Sequence, residues 1–441
     1  MNFKLVNISI GGNILFLIFI LFSTSCVPLT QTDSGDTGGV NKKLVYDNFT
    51  YEPNVKTVLF FPSTNKAQDV IQPAVLPLSQ ITPLMLEFDQ ILADFDNYNV
   101  KLVHCNVDWT RSSINEIEYL YDFNEFPINE YELSFNTRIP FVHYIFQVPK
   151  VKISGNYLLK VYRGRNENDL ILTQRFMIYE NIAGIAPEIR ISSGVSERRL
   201  NQQIVFSINY GNLEIFNPQE DMKVMIRQNQ RWDNAIRNLK PTMVREDQNQ
   251  LEYEHFTVQN EFRGGNEFRF FDIRTLNFPG QNVANIDLKP KRIDAFLFRD
   301  RSRGPDVYGQ YNDINGQFVV ANLETGGGKL EADYVFVHFF LQSEEPLNEE
   351  VYISGALTDW KLTPENRMEY DQENKLYFKE LLLKQGFYNY QYLVKGNNPY
   401  YFEGSHFETE NKYEIFVYNR PVGSRVDRLI GYASFDYNRR N

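Results

Sequence analysis

Few residues of this chain are spaced to do chemistry. His104 and Asp108 stand four apart, on one face of the strand-like run from Tyr98 to Trp109. They could act as an acid–base pair; a hydrogen bond closing the strand end is the plainer reading of the same spacing. Cys105 falls on the opposite, apolar face with Val103, Val107 and Trp109, which makes it a core thiol. Asp94-Phe95-Asp96-Asn97-Tyr98 begins like a calcium loop but has Tyr98 at the fifth position and no glycine where the turn needs one. Arg299, Arg301 and Arg303 alternate with Asp300 and Asp306, the pattern of a solvated loop rather than of a phosphate site. The chain has no His-Glu-x-x-His, no Gly-x-Ser-x-Gly and no phosphate-binding glycine loop. The expectation is a non-enzymatic protein with no catalytic residue, no metal, no cofactor and no small-molecule substrate.

Binding is the remaining class, and charge narrows it. With 45 basic against 56 acidic residues the formal charge is −11, which argues against nucleic acid, whose phosphates need clustered Lys and Arg. Two stretches are candidates for contacting a protein partner. One is the acidic loop through Glu116, Glu118 and Asp122; the other is the long polar connection from Gln228 to Gln250, which carries Trp232. A loop tryptophan folded onto its own domain is the alternative for Trp232.

The elements that must position these residues are strands. Aromatic residues make up 15% of the chain, Tyr 27 and Phe 35, and long amphipathic helical patterns are scarce, so helices should be few and short. Period-two patterning is clear in Tyr98 to Trp109, in Phe141 to Val148 and in the run from Ser154 to Tyr162, read together as one sheet system. At 441 residues several cores are required. The expected fold class is all-β, with tandem antiparallel β-sandwich domains at 48–180, 181–325 and 326–441, the break falling at Gly326-Gly327-Gly328. Asp427 to Asn438 is expected as an edge strand or as a segment crossing another domain.

Residues 1–25 read as an export signal, with Lys4, the apolar run Ile14 to Phe22 and small residues before Cys26. Cys26 is the expected lipid attachment. Ser23 stands where a lipobox has leucine, so ordinary cleavage stays open. Residues 26–47 read as a flexible tether. With 2 cysteines, one of them Cys26, no disulfide is expected to hold the folded part together.

Three ordered strings carry a resemblance: His104-Cys105-Asn106-Val107-Asp108-Trp109, then Ser134-Phe135-Asn136-Thr137 with His143-Tyr144, then Ser154 to Tyr162. They resemble the N-terminal signature of the plug proteins of the bacterial type IX secretion system. The resemblance implies a periplasmic protein that binds the outer-membrane translocon pore protein and seals its periplasmic opening; the lipid expected at Cys26 from the export segment would be its only hold on the membrane. The last domain, through Val351 to Trp360 and Gln385 to Tyr392, resembles the immunoglobulin-like early-set modules of glycogen-binding proteins. It leaves two alternatives open: a glycan-binding envelope lipoprotein using Trp360, Tyr400 and Tyr401, and a structural spacer.

Overall fold

Alternating apolar and polar residues punctuated by turn residues favour strands, and strands form. The computed structural model describes residues 41–91, 94–325 and 328–439. Among them the chain is all-β, with largely antiparallel sheets packed in pairs and α-helix confined to single turns at Glu116–Tyr119 and Pro218–Asp221. The expected export signal, Cys26, most of the tether, and Gly326 and Gly327 lie outside the described residues. The end of the expected tether is corrected. The Lys42 amide donates to Asn168 O at 2.9 Å, its ammonium bridges Glu52 and Asp169, and Arg175 Nε donates to Tyr46 O at 3.0 Å. Leu44 and Tyr46 supply apolar anchors within an otherwise polar stretch.

The first sandwich pairs two sheets. One runs Phe49–Thr50, Leu170–Tyr179, Gly155–Arg163, Tyr98–Cys105, Phe126–Pro127, with Val75–Pro77 parallel to Leu170–Tyr179. The other runs Val55–Pro62, Leu84–Gln90, Val142–Gln147, Glu130–Leu133. The three signature strands therefore do not share one sheet. Tyr98–Cys105 and Gly155–Arg163 pair directly, while Val142–Gln147 faces them across a core that includes Phe88, Leu102, Tyr144 and Tyr157.

The expected boundary at 325 is also corrected, because the third sandwich is inserted into the second. The second holds Gly184–Ile191, Asn201–Asn209, Gln250–Tyr253, Met243–Arg245 and Glu261–Arg263 in one sheet. Its other sheet combines Ile236–Arg237 and Met222–Gln228 with Asn411–Asn419 and Arg428–Tyr437 from the far end of the chain. Between these, Arg269–Asp272 pairs with Gly386–Val394, and Arg292–Leu297 with Tyr334–Gln342, in the two sheets of the third sandwich. A strand's residue pattern shows that it is a strand, not which sheet it joins, and local patterning hides this exchange.

The first two sandwiches meet sheet against sheet. Val103, Cys105, Trp109, Leu158 and Met177 pack on Met225, Phe416, Tyr418 and Leu429 in one apolar layer. Strands in the middle of this stack are buried on both faces, so the half-buried reading of Tyr98–Cys105 gives way: His104 is as enclosed as Cys105. Such burial favours apolar side chains in both phases, as in Ile415 to Tyr418, and the one charge beside them, Glu414, is paired with Arg227.

Candidate functional site

His104 and Asp108 form neither an acid–base pair nor a strand-closing bond. His104 Nδ1 lies 2.9 Å from Ser112 Oγ and its ring packs edge-on against Tyr157, while Asp108 is exposed and accepts from Thr110. Burial pushes the imidazole pKa down to about 4, so it is neutral at pH 7. Gly155 passes so close that a Cβ there would sit 2.6 Å from His104 Nε2. Burial pushes the Cys105 thiol up to about 12, which leaves it a packing residue. The signature strings are thus determinants of folding and domain contact: Asn156 donates to Asn106 O at 3.0 Å and accepts from Tyr418 OH of the second sandwich at 2.8 Å.

Trp232 is not a free contact residue, nor is it folded only onto its own domain. Its ring lies between the guanidinium groups of Arg175, at 4.9 Å, and Arg227, at 4.5 Å, and meets Trp109 edge-to-face at 5.2 Å. Arg175 also covers Trp109 at 4.4 Å. This alternation of aromatic and cation fastens the second sandwich to the first. Trp360, 7% exposed, has Arg231 over its ring at 4.9 Å and Phe268 edge-on at 5.7 Å. Gly316 presses on it so closely that a Cβ there would lie 2.2 Å from Trp360 Cη2. Tyr400 OH accepts from Arg231 at 3.1 Å, and of the three expected sugar platforms only Tyr401 is exposed. Trp232 and Trp360 stand on the wall of a cleft of about 630 Å³ where the three sandwiches meet, lined also by Asp47, Arg175, Asp233 and Lys361.

Charge is buried where the first and third sandwiches touch. Asp89, on the outer face of Leu84–Gln90, is fully buried and accepts from Lys384 Nζ at 2.6 Å, from Tyr334 OH at 2.7 Å and from the ring of His143 at 2.7 Å. Burial opposes its ionisation, but Lys384 and His143 outweigh burial and hold the carboxyl below its ordinary range. The arginine loop is likewise less solvated than its sequence implied. Asp300 accepts from Arg269, Tyr390 and Tyr392, and Arg303 pairs with buried Glu403. Only Arg301 and Asp306 form the expected exposed pair. Among the described residues one group, Asp294, His338 and Glu380, has metal-ligand spacing. Arg292 already donates to both carboxylates, which supplies the countercharge an ion would bring.

The acidic loop meets solvent with a cluster of apolar side chains. Asn115 caps the single turn Glu116–Tyr119. Tyr119 and Leu120 enter the first core, Tyr119 OH donates to Leu102 O at 3.0 Å, and buried Asn124 makes two bonds to the Leu102 backbone. Pinned there, the loop turns Ile117, Tyr121 and Phe123 outward, 77%, 67% and 77% exposed. Of the acids singled out in the sequence, Glu116 accepts from Asn124 at 2.8 Å, and Glu118 takes both its Asn115 backbone bond and a two-oxygen contact from Arg425 of the second sandwich. These two build the loop. Asp122 is exposed beside the apolar trio, which the sequence announces by interleaving apolar residues with acids from Glu116 to Phe126.

Residues 55–180, the first sandwich, match the family described as type 9 secretion system plug protein 1st domain. The chain belongs to the type IX secretion system plug family. A crystal structure of a hypothetical protein from Parabacteroides merdae resembles this plug-family chain with a TM-score of 0.83 and 30% sequence identity, over 90% of this chain and 100% of that one. No curated protein matches it. Family membership gives the chain a role in type IX secretion, association with the secretion machinery and a place in the periplasm or cell envelope.

Proposed function

We propose that this plug-family chain binds and seals the periplasmic opening of the outer-membrane translocon of type IX secretion, and that it does so without catalysis. The carrying observation is the rigidly held loop with Ile117, Tyr121 and Phe123 exposed on the family-matching sandwich. A removable stopper needs a modest interface with a few aromatic anchors and a polar rim. The stacked sandwiches suit the same task, since a stopper must not deform. In this reading Cys26 carries a lipid that holds the protein at the periplasmic face, and the third sandwich is an immunoglobulin-like module serving contact rather than sugar binding. Burial of Trp360 beneath Arg231 supports that choice over the glycan reading. The test is affinity purification of the chain from outer membranes, together with antibiotic sensitivity of a deletion strain. Co-purification of the pore protein and a leaky outer membrane are expected; an intact barrier and no translocon in the eluate would overturn the proposal.

A further inference from the structure

We propose that the strand Glu130–Leu133 is a docking edge that takes one added strand from a partner, and that this strand alternates apolar with basic residues. It goes beyond the sealing role, because it depends on neither the loop at 117–123 nor the identity of the pore. Glu130–Leu133 ends the order of its sheet and pairs only with Val142–Gln147, and all four of its residues are exposed. Register fixes which way its backbone points. Ser134 N donates to Phe141 O, and in an antiparallel ladder hydrogen-bonded pairs recur every second residue, so Glu130 and Glu132 bond inward to Ile145 and His143. The N–H and C=O groups of Tyr131 and Leu133 therefore point away from the sheet, and no described backbone group bonds them.

The side chains define the occupant. Tyr131 and Leu133 stand opposite Tyr144 and Val142, hence on the core-facing side, yet they are 39% and 56% exposed. Phe95 stacks on Tyr131 at 4.7 Å, and Tyr131 lies 6.1 Å from buried Tyr144. Aromatic surface thus runs from the core out to an edge that no described strand covers between Glu130 and Leu133; just beyond it Phe135 N donates to Leu330 O at 3.3 Å, which bounds the open stretch to these four residues. Apolar residues on the near side of an added strand would cover it. Glu130 and Glu132 project from the other side, where cations at alternate positions would meet them. A second copy of this chain would bring the same glutamates against them, so acids on the edge disfavour self-pairing while leaving a basic strand free to bind.

The experiment uses the mature protein and a labelled peptide alternating valine and lysine, with a valine and glutamate peptide as control. Binding is read by fluorescence anisotropy and by hydrogen exchange. The valine–lysine peptide is expected to bind and to slow exchange at Tyr131 and Leu133, while the control does not. Leu133→Pro removes an outward donor without touching the ladder and is expected to weaken binding about tenfold, one or two backbone hydrogen bonds. Should that variant fold poorly, Glu130→Lys with Glu132→Lys is expected to reverse the preference between the two peptides. No binding, equal binding of both peptides, or no response to either variant overturns the proposal.

Discussion

His104 is a stability element rather than a catalyst, and pH exposes the difference. Its folded pKa of about 4 lies below the ordinary 6.5, so between those values the unfolded chain takes up a proton that the folded chain refuses. Stability conferred by the neutral ring is therefore complete above pH 6.5 and declines as pH falls toward 4, by roughly 3 kcal/mol at the limit. Urea unfolding at a series of pH values reads this slope, and in His104→Gln the slope over the same window should flatten. Asp89 makes a second residue-level prediction. Lys384→Met strands a fully buried carboxylate between domains and should cost about 3–5 kcal/mol, whereas adding Asp89→Asn in the same chain should recover much of that loss, because an unpaired buried charge is the expensive state. Denaturant midpoints of the two variants decide it.

At the scale of elements, the inserted third sandwich sets what can fold alone. A fragment 181–325 lacks Asn411–Asn419, the strand on which Met222–Gln228 depends, and leaves Val224 and Ile226 without the core they share with Ile415 and Val417. It should aggregate on expression. A fragment 266–404 retains both sheets of the third sandwich and the Arg269–Glu403 pair, and should give a cooperative unfolding transition by circular dichroism. Trp232 belongs to this scale too, because its segment matters through what it joins. Trp232→Ala should cost about 2 kcal/mol, less than a fully buried tryptophan since the ring is only half-buried, and should loosen the seam of the first two sandwiches toward limited proteolysis.

For the whole molecule, the proposed sealing role rests on surface that folding does not need. Tyr121→Asp and Phe123→Asp place charge on side chains already in solvent, so thermal stability should change by no more than about 0.5 kcal/mol. Recovery of the translocon with the variant proteins should nevertheless fall sharply in pull-downs from outer membranes. Unchanged recovery would move the contact elsewhere on the body, and a fall in stability would mean that the loop serves the core.

The sequence by itself determined the strands, because period-two patterning and turn residues are local. Tyr98–Cys105, Val142–Gln147 and Gly155–Arg163 form where that pattern places them, except that the first stops at Cys105 and the chain turns through Asn106 to Trp109 instead of continuing as strand, and the ordered strings around His104, Ser134 and Ser154 carried the family. The acidic loop was legible as a surface, since acids interleaved with apolar residues suit no core. Its roles were not: Glu116 and Glu118 find Asn124 and Arg425 only once the chain is folded, leaving the exposure to Ile117, Tyr121 and Phe123. Tertiary structure alone decided that Asn411–Asn419 joins Met222–Gln228 across an inserted domain, and that Trp232 and Trp360 are covered by arginines. Met222–Gln228 finds its partner strand about two hundred residues away in sequence, and Trp232 and Trp360 are covered by Arg175 and Arg231 from other sandwiches, pairings that no local pattern records.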